Sequence, residues 1–341
     1  MSFRFPLGLL LLLAASFAHP APLLAADEVA EPVTIPLAPG SVVELASVAQ
    51  GQKLLAIDDD FSRRLTTFDI ASRVRGVEKP TKADWQSQLV AEVIAWDAET
   101  TARLRTILGS MEKRLARFDL ALPATIYLVQ TTGREESHAA YTRGDAIMLP
   151  VRLVRGDDRS LETLLLHELF HVLSRKNAAL RRAMYRIVGF EEIAEIELPP
   201  SIADAKITNP DAPRLDVVIS MAVDGQLVHA VPLLLAEPPV FDPSAGKGMF
   251  AYMKFKLVEV EGLLDAQAKL MWRVKMQEDE PVTISITPNF EPYFKKIGSN
   301  TRYIIHPEEV LADNFAYLVL ERDDLPTPRV TDELGRLLLK P

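Results

Sequence analysis

The sequence predicts an α+β fold, in which helices and short strands build a common core. Three observations support this prediction. Apolar residues recur at helical spacing between residues 82 and 118, β-rich runs follow Pro123, and a second β-rich piece covers about residues 214–260. Between the two β-rich pieces lies a helix that is apolar on nearly all sides, so its few polar residues are the first candidates for a functional site.

Residues 1–26 have the pattern of a secretory signal peptide. Arg4 precedes an apolar run, and small residues between Ala18 and Ala26 offer cleavage positions. The apolar run is too short to cross a bilayer, so the mature chain is expected to be exported, periplasmic or secreted, without a membrane span. After it we expect an N-terminal extension over residues 27–80 and the main domain over residues 81–341.

Composition argues against some classes of partner. The chain has 47 acidic and 38 basic residues and a formal net charge of −9, a balance that argues against nucleic acid or anionic lipid as a partner. It contains no cysteine, so no disulfide framework is expected. Stability must then come from the core and from any metal that is bound.

Local patterns predict the elements before the apolar helix. Residues 82–96 and 104–118 have helical periodicity, and Thr125–Val129 is a short β-rich run. A second extended stretch covers residues 139–149 and is broken at Gly144. The next helix is expected to start at Asp157, Asp158 or Ser160, each of which can cap a helix.

That next helix contains the motif H-E-x-x-H. His167 and His171 are four residues apart, so a helix presents both imidazoles on one face, where Zn²⁺ accepts them as ligands. Glu168 lies about 100° round the helix from His167, close enough to take a proton from a water held by the ion. The alternative is two ordinary, partly buried histidines beside a solvated glutamate. The apolar flanks favour the metal site, because a buried helix needs partners for its polar groups.

A β-rich segment follows a long irregular connection. Residues 178–188 are predicted to be helical, and prolines between residues 199 and 213 mark the connection. Asp224-Gly225 is a strong signal for a two-residue hairpin between strands, and residues 249–260 alternate well enough for a third strand. The strands are expected to form an insertion beside the cleft.

A catalytic zinc site normally has a third protein ligand. The helix predicted to start at Pro307 carries Glu309 and Asp313 on one face, so Glu309 can bind the ion while Asp313 accepts the second N–H of a ligating histidine. Two other glutamates stay open as third ligands. Glu191 lies 20 residues after His171, and Glu308 lies directly before Glu309.

The two blocks H-E-L-F-H and P-E-E-V-L-A-D-N-F together resemble the gluzincin zinc metallopeptidases, both thermolysin-like and lethal-factor-like members. The resemblance covers about 30 residues. It implies a zincin-like metallopeptidase fold over residues 81–341, in which the last strand before the H-E-x-x-H helix is an exposed sheet edge that binds an extended peptide. It also implies His167, His171 and Glu309 as ligands and Glu168 as base, with Asp313 supporting a ligand. In the lethal-factor-like members a tyrosine shortly precedes the ligand glutamate, which points to Tyr303 as a stabiliser of the oxyanion.

The sequence therefore predicts an exported zinc peptidase that acts on peptides or proteins. His306 is a second candidate for the hydrogen-bond donor to the oxyanion. The alternative is a catalytically inactive binding or assembly module of the cell envelope, built on the same scaffold. Retention of Glu168 favours the enzyme, because a purely structural metal site has no need of a base.

We expect the exported protein to begin between Ala18 and Ala26, because the small residues there follow the apolar run. Mass spectrometry of the intact protein from the cell envelope would measure its first residue. Mature material that still begins at Met1 would contradict the signal-peptide interpretation.

Overall fold

Two large β-sheets, a small antiparallel sheet formed by Met276–Gln277 and Glu280–Pro281, and a group of helices form the described part of the chain. The computed structural model describes residues 32–264, 267–268, 270–284, 286–287 and 290–340, so the predicted signal peptide lies outside the described residues. In chain order the strands are β1 (Val33–Ala38), β2 (Ser41–Leu45), β3 (Thr125–Thr131), β4 (Tyr141–Arg143), β5 (Ala146–Pro150), β6 (Phe190–Glu192), β7 (Val217–Val223), β8 (Gln226–Ala236), β9 (Met253–Leu264), β10 (Leu270–Val274), β11 (Met276–Gln277), β12 (Glu280–Pro281) and β13 (Thr283–Ile284).

Several of the helices lie on the segments that were predicted to be helical. In chain order they are α1 (Val48–Leu55), α2 (Thr67–Arg73), α3 (Lys82–Ala91), α4 (Ala98–Leu115), α5 (Val151–Val154), α6 (Asp158–Lys176), α7 (Ala178–Ile187), α8 (Pro200–Ala203), α9 (Glu291–Ile297), α10 (Pro307–Val319) and α11 (Pro328–Leu338). None of the helices in the described residues is long and apolar enough to cross a lipid bilayer.

The first sheet has mixed strand directions and the order β1-β2-β3-β5-β4. Strand β3 is parallel to both β2 and β5, whereas β1 and β4 are antiparallel to their neighbours. Residues of β5 alternate between two cores. Ile147 and Leu149 face the core that contains α4 and α6, and Ala146 and Met148 face the core of α1 and α3. The sheet is therefore covered by helices on both faces.

Residues 33–45, within the segment expected as an N-terminal extension, form β1 and β2 of this first sheet, and Val42–Leu45 pair with Thr125–Leu128. One sequence prediction needs correction here. The last strand before α6 is not a sheet edge, because β5 pairs on both sides. The edge next to it is the three-residue strand β4, which is buried.

The second sheet is antiparallel, with the order β10-β9-β8-β7-β6 and β13 on β9. The predicted hairpin is confirmed, because Asp224 and Gly225 connect β7 to β8 with φ of 49° and 80°, as a two-residue hairpin turn of this hand requires. The β-rich region is longer than predicted, since its strands continue beyond residue 260 to Ile284.

Helix α6 lies at the centre of the largest core. Asp157 caps its N-terminus by accepting a hydrogen bond from the backbone N–H of Ser160 at 2.9 Å, which confirms the predicted start. Every residue from Leu165 to Ser174 is buried. Helix α10 packs along it, and the rings of Phe170 and Phe315 are 5.9 Å apart at this interface. Apolar packing therefore sets the separation of the two helices that carry the candidate site.

We expect Phe315→Ala to lower the free energy of unfolding by about 3–5 kcal/mol, because Phe315 is fully buried and the change leaves a cavity between α6 and α10. Urea denaturation followed by circular dichroism would measure the loss. Phe250→Ala, at a phenylalanine that is 47% exposed, is the matched control and should change stability much less. Equal denaturation midpoints for the two variants would contradict this account of the interface.

Candidate metal centre

Helix α6 presents His167 and His171 toward α10. The two ring centroids are 4.8 Å apart and the rings are nearly perpendicular, at 83°. His171 is fully buried and His167 is 8% exposed. The helical repeat places both imidazoles on one face of α6.

Glu309 on α10 completes a group of three possible ligands. Its Oε2 lies 3.2 Å from Nε2 of His167 and 3.6 Å from Nε2 of His171. Metal–ligand bonds of about 2.0–2.1 Å in a tetrahedron would separate neighbouring ligand atoms by roughly 3.3 Å. The observed separations are therefore those of ligands around one ion, and the residues fit a metal site.

An unpaired buried atom supports the same conclusion. Nε2 of His171 has no hydrogen-bond partner among the described residues, although it is buried. Leaving such an atom unpaired costs about 1–3 kcal/mol, so native structures seldom tolerate it without a bound group. Metal coordination would satisfy this nitrogen.

The opposite nitrogen of each ring is held by a carboxylate. Nδ1 of His167 lies 2.8 Å from Oδ1 of Asp313, and Nδ1 of His171 lies 3.1 Å from Oε1 of Glu308. Ser174 and Tyr185 donate hydrogen bonds to Glu308. A hydrogen bond at Nδ1 fixes the ring and leaves the Nε2 lone pair for a metal.

The two alternative third ligands lie elsewhere. Glu308 is on the Nδ1 side of His171 and acts there as a hydrogen-bond acceptor. Glu191 is an exposed residue of β6, paired with Val218 of β7, and does not belong to the histidine cluster. Sequence reasoning missed the partnership of Glu308 with His171, although two ligating histidines need two acceptors and only Asp313 had been assigned.

The buried histidines and carboxylates of this group shift one another's pKa values. Burial acts to lower the pKa of His171, but the negative charges of Asp211 and Glu309 outweigh it and raise that pKa to about 9. Burial acts to raise the pKa of Glu309, but His171 and His167 outweigh it and lower that pKa to about 2. Without metal, protons on the imidazoles balance the carboxylates. A divalent cation would supply the same positive charge.

Glu168, the residue after His167 on α6, lines the same cleft. Its Oε2 is buried and lacks a hydrogen-bond partner in the described part of the chain. Burial and the negative charge of Asp211 raise the pKa of Glu168 to about 8. A cation bound by the histidines and Glu309 would lower this pKa again by attraction, and so restore a carboxylate that can accept a proton.

The cleft is a cavity of about 520 Å³. Its lining includes His167, Glu168, Glu309, Asp313 and Tyr303. The Tyr303 ring stacks on His167, with centroids 5.9 Å apart and an angle of 14° between the planes. Tyr303 therefore lies in the wall of the cleft, beside His167.

His306 is not in this cavity lining. It is the N-cap of α10, where its Nδ1 accepts a hydrogen bond from the backbone N–H of Glu308 at 3.1 Å. Burial lowers the pKa of His306 to about 4, so the ring stays neutral. Its position favours a structural role, and Tyr303 is the better placed of the two candidate donors.

Asn209 and Asp211 also reach the site and were missed by the sequence analysis, which treated their segment as an irregular connection. Asn209 donates a hydrogen bond from Nδ2 to Oε1 of Glu309 at 2.6 Å. Ligand atoms of Asp211, Glu168 and His171 lie within 4.8 Å of one another. No local pattern marked these two residues, because their role arises only from contacts with residues that are distant in the sequence.

No family model matches the chain, and no curated protein and no solved structure matches it significantly. What is established is a buried cluster of two histidines and one glutamate, on an H-E-x-x-H helix and its neighbour, that can bind a metal ion.

We expect Glu309→Ala to weaken zinc binding by more than the roughly 10- to 100-fold expected for Asp313→Ala, because the first change removes a ligand and the second only a hydrogen-bond acceptor. Competition titration against a chromophoric chelator would measure both affinities in variants with matched circular dichroism. Glu191→Ala is the control and should bind zinc like the wild type. Full affinity in Glu309→Ala with loss in Glu191→Ala would overturn the assignment.

Proposed function

We propose that this protein is an exported, zinc-dependent peptidase that hydrolyses peptide bonds in peptides or proteins. The observation that carries the proposal is the convergence of Nε2 of His167, Nε2 of His171 and Oε2 of Glu309 at ligand spacing, with the unpaired carboxylate oxygen of Glu168 beside them. Three ligands and an adjacent carboxylate are the parts that metal-assisted hydrolysis needs.

Zinc is the metal that these ligands favour. Mg²⁺ and Ca²⁺ prefer sites made of oxygen ligands, whereas two imidazoles and one carboxylate are a common donor set of catalytic zinc. When bound, zinc polarises the scissile carbonyl and lowers the pKa of the attacking water.

Residues of the chain would carry out proton transfer, stabilise the developing negative charge and orient the ligands. Glu168 accepts a proton from the attacking water as the water oxygen bonds to the carbonyl carbon. When the C–N bond breaks, Glu168 passes that proton to the departing nitrogen. Tyr303 donates a hydrogen bond from its hydroxyl to the carbonyl oxygen as negative charge develops there. Asp313 and Glu308 hold the two imidazoles in place throughout.

A second candidate is an inactive binding or assembly module on the same scaffold. One contact favours it. The backbone N–H of Thr142, on edge strand β4, donates to Asp211 at 2.8 Å, so this donor is already occupied where an extended substrate would pair. The two candidates differ in whether purified, zinc-loaded protein cleaves any peptide.

We expect Glu168→Gln to retain zinc and to lose turnover by roughly 10²- to 10⁴-fold, because an amide cannot accept the proton of the attacking water. Digestion of a peptide library, followed by mass spectrometry with and without chelator, would measure turnover, and the chelator titration would measure zinc. Glu162→Gln, on the same helix but hydrogen-bonded to Ser110, is the control.

Two results would count against this proposal. Loss of zinc in Glu168→Gln would make Glu168 a ligand. A wild-type protein that binds zinc and cleaves nothing in the library would favour the binding module.

A further inference from the structure

A smaller cavity of about 50 Å³ adjoins the metal cleft. The residues that line both cavities are Ala139, Ala140, Asp211 and Tyr303. The two alanines at this junction have small side chains, and the Tyr303 ring stacks on His167 with the centroids 5.9 Å apart. A peptide held at the metal position could therefore extend one side chain into the smaller cavity.

The second sheet supplies one wall of this cavity, which we call the apolar pocket. The wall residues are Leu234 on β8, Met253 on β9, and Met249 and Phe250 on a 3₁₀ turn between these strands. Met249 is 2% exposed, whereas Phe250 is 47% exposed and so lies where the pocket meets solvent. The second sheet therefore contributes to the surface that a substrate in the cleft would meet.

The polar groups that line the apolar pocket beyond its junction with the cleft already have partners. Both carboxylate oxygens of Glu136 accept hydrogen bonds from the guanidinium of Arg73, which also donates to Asp69. The Thr208 hydroxyl donates to a backbone carbonyl at 3.0 Å, and Asn209 donates to the proposed third ligand. A polar substrate group buried here without a new hydrogen bond would lose free energy, so the pocket favours an apolar side chain.

The volume of the apolar pocket limits the side chain that it can hold. One water molecule needs roughly 10–15 Å³ of such space. A pocket of about 50 Å³ therefore holds only a few groups of that size. The branched side chains of valine and leucine match this volume, whereas the ring of phenylalanine exceeds it.

We propose that the apolar pocket binds an aliphatic side chain of the substrate, of the size of leucine or valine, next to the peptide bond that is cleaved. This inference rests on the proposed function, since it takes the peptide substrate of that proposal as given. It narrows the substrates to peptides or proteins with an aliphatic residue beside the cleaved bond. Met249, Phe250 and Met253 determine this specificity, so the second sheet selects the substrate.

The test measures peptide binding separately from cleavage. The probes are a fluorescein-labelled all-alanine peptide and the same peptide with one internal leucine, phenylalanine or aspartate. Zinc-loaded Glu168→Gln is the protein, because it should bind these peptides without cleaving them, and fluorescence anisotropy gives the dissociation constants. We expect the leucine peptide to bind at least about 10-fold more tightly than the all-alanine peptide, because each methylene that fills an apolar pocket contributes to discrimination. The aspartate peptide should bind no more tightly than the all-alanine peptide.

Two further changes in the Glu168→Gln protein connect the preference to the second sheet. Met253→Ala enlarges the apolar pocket, so the phenylalanine peptide should bind at least as tightly as the leucine peptide. Phe250→Lys places a cation at the partly exposed wall, so the preference for leucine over alanine should be lost and the aspartate peptide should gain affinity. Leu227→Lys, at a residue of β8 that is 69% exposed and does not line the pocket, is the matched control and should keep the original ranking. Circular dichroism would check that each variant is folded.

Equal affinities for the leucine and all-alanine peptides, or no binding of any probe, would overturn the assignment of the apolar pocket. The same holds if the ranking of the peptides stays unchanged in both pocket variants. Cleavage of library peptides by the wild type without an aliphatic residue beside the cleaved bond would also overturn it, but would leave the peptidase proposal intact. Selective binding of the leucine peptide by a protein that cleaves nothing would support the pocket assignment and contradict the peptidase proposal, so the two failures are distinguishable.

Discussion

The interface between α6 and α10 is the constraint on which the rest of the structure depends. It buries His171, Glu308 and Glu309 almost completely, and such groups are stable in an apolar interior only when each has a partner. Removing one member of a buried ionic pair typically costs about 3–5 kcal/mol, because the other charge is left uncompensated. Phe170 and Phe315 set the helix separation that lets every imidazole nitrogen meet a carboxylate or a metal position.

The same residue type takes three roles in this interface, and the environment decides each role. Glu309 meets two imidazoles, which lower its pKa to about 2 and suit it to bind a cation. Glu308 accepts hydrogen bonds from His171, Ser174 and Tyr185, so its oxygens are already committed to orienting a ring. Burial and the negative charge of Asp211 raise the pKa of Glu168 to about 8, and one of its oxygens has no hydrogen-bond partner among the described residues. These properties suit a group that accepts and releases a proton.

The long separation between His171 and Glu309 has a structural explanation. Glu309 lies 138 residues after His171, and the whole second sheet lies between them in the sequence. The entropic cost of closing a loop grows only slowly with its length, and here much of the intervening chain is ordered by its own strands. A distant glutamate can therefore complete the cluster as well as a near one, and the intervening chain supplies Asn209 and Asp211 to the site.

The sequence by itself determined the elements and residue types that follow from local patterns. Periodicity located α4, an apolar run after a capping residue located α6, and Asp224-Gly225 set the hairpin between β7 and β8. The four-residue spacing of His167 and His171 places both rings on one face of any helix. Only the tertiary structure decided that β4 is an edge of the first sheet, that Glu308 accepts a hydrogen bond from His171, and that Asp211 lines the cleft. These outcomes depend on which distant segments meet, and local periodicity carries no information about partners that are remote in the chain.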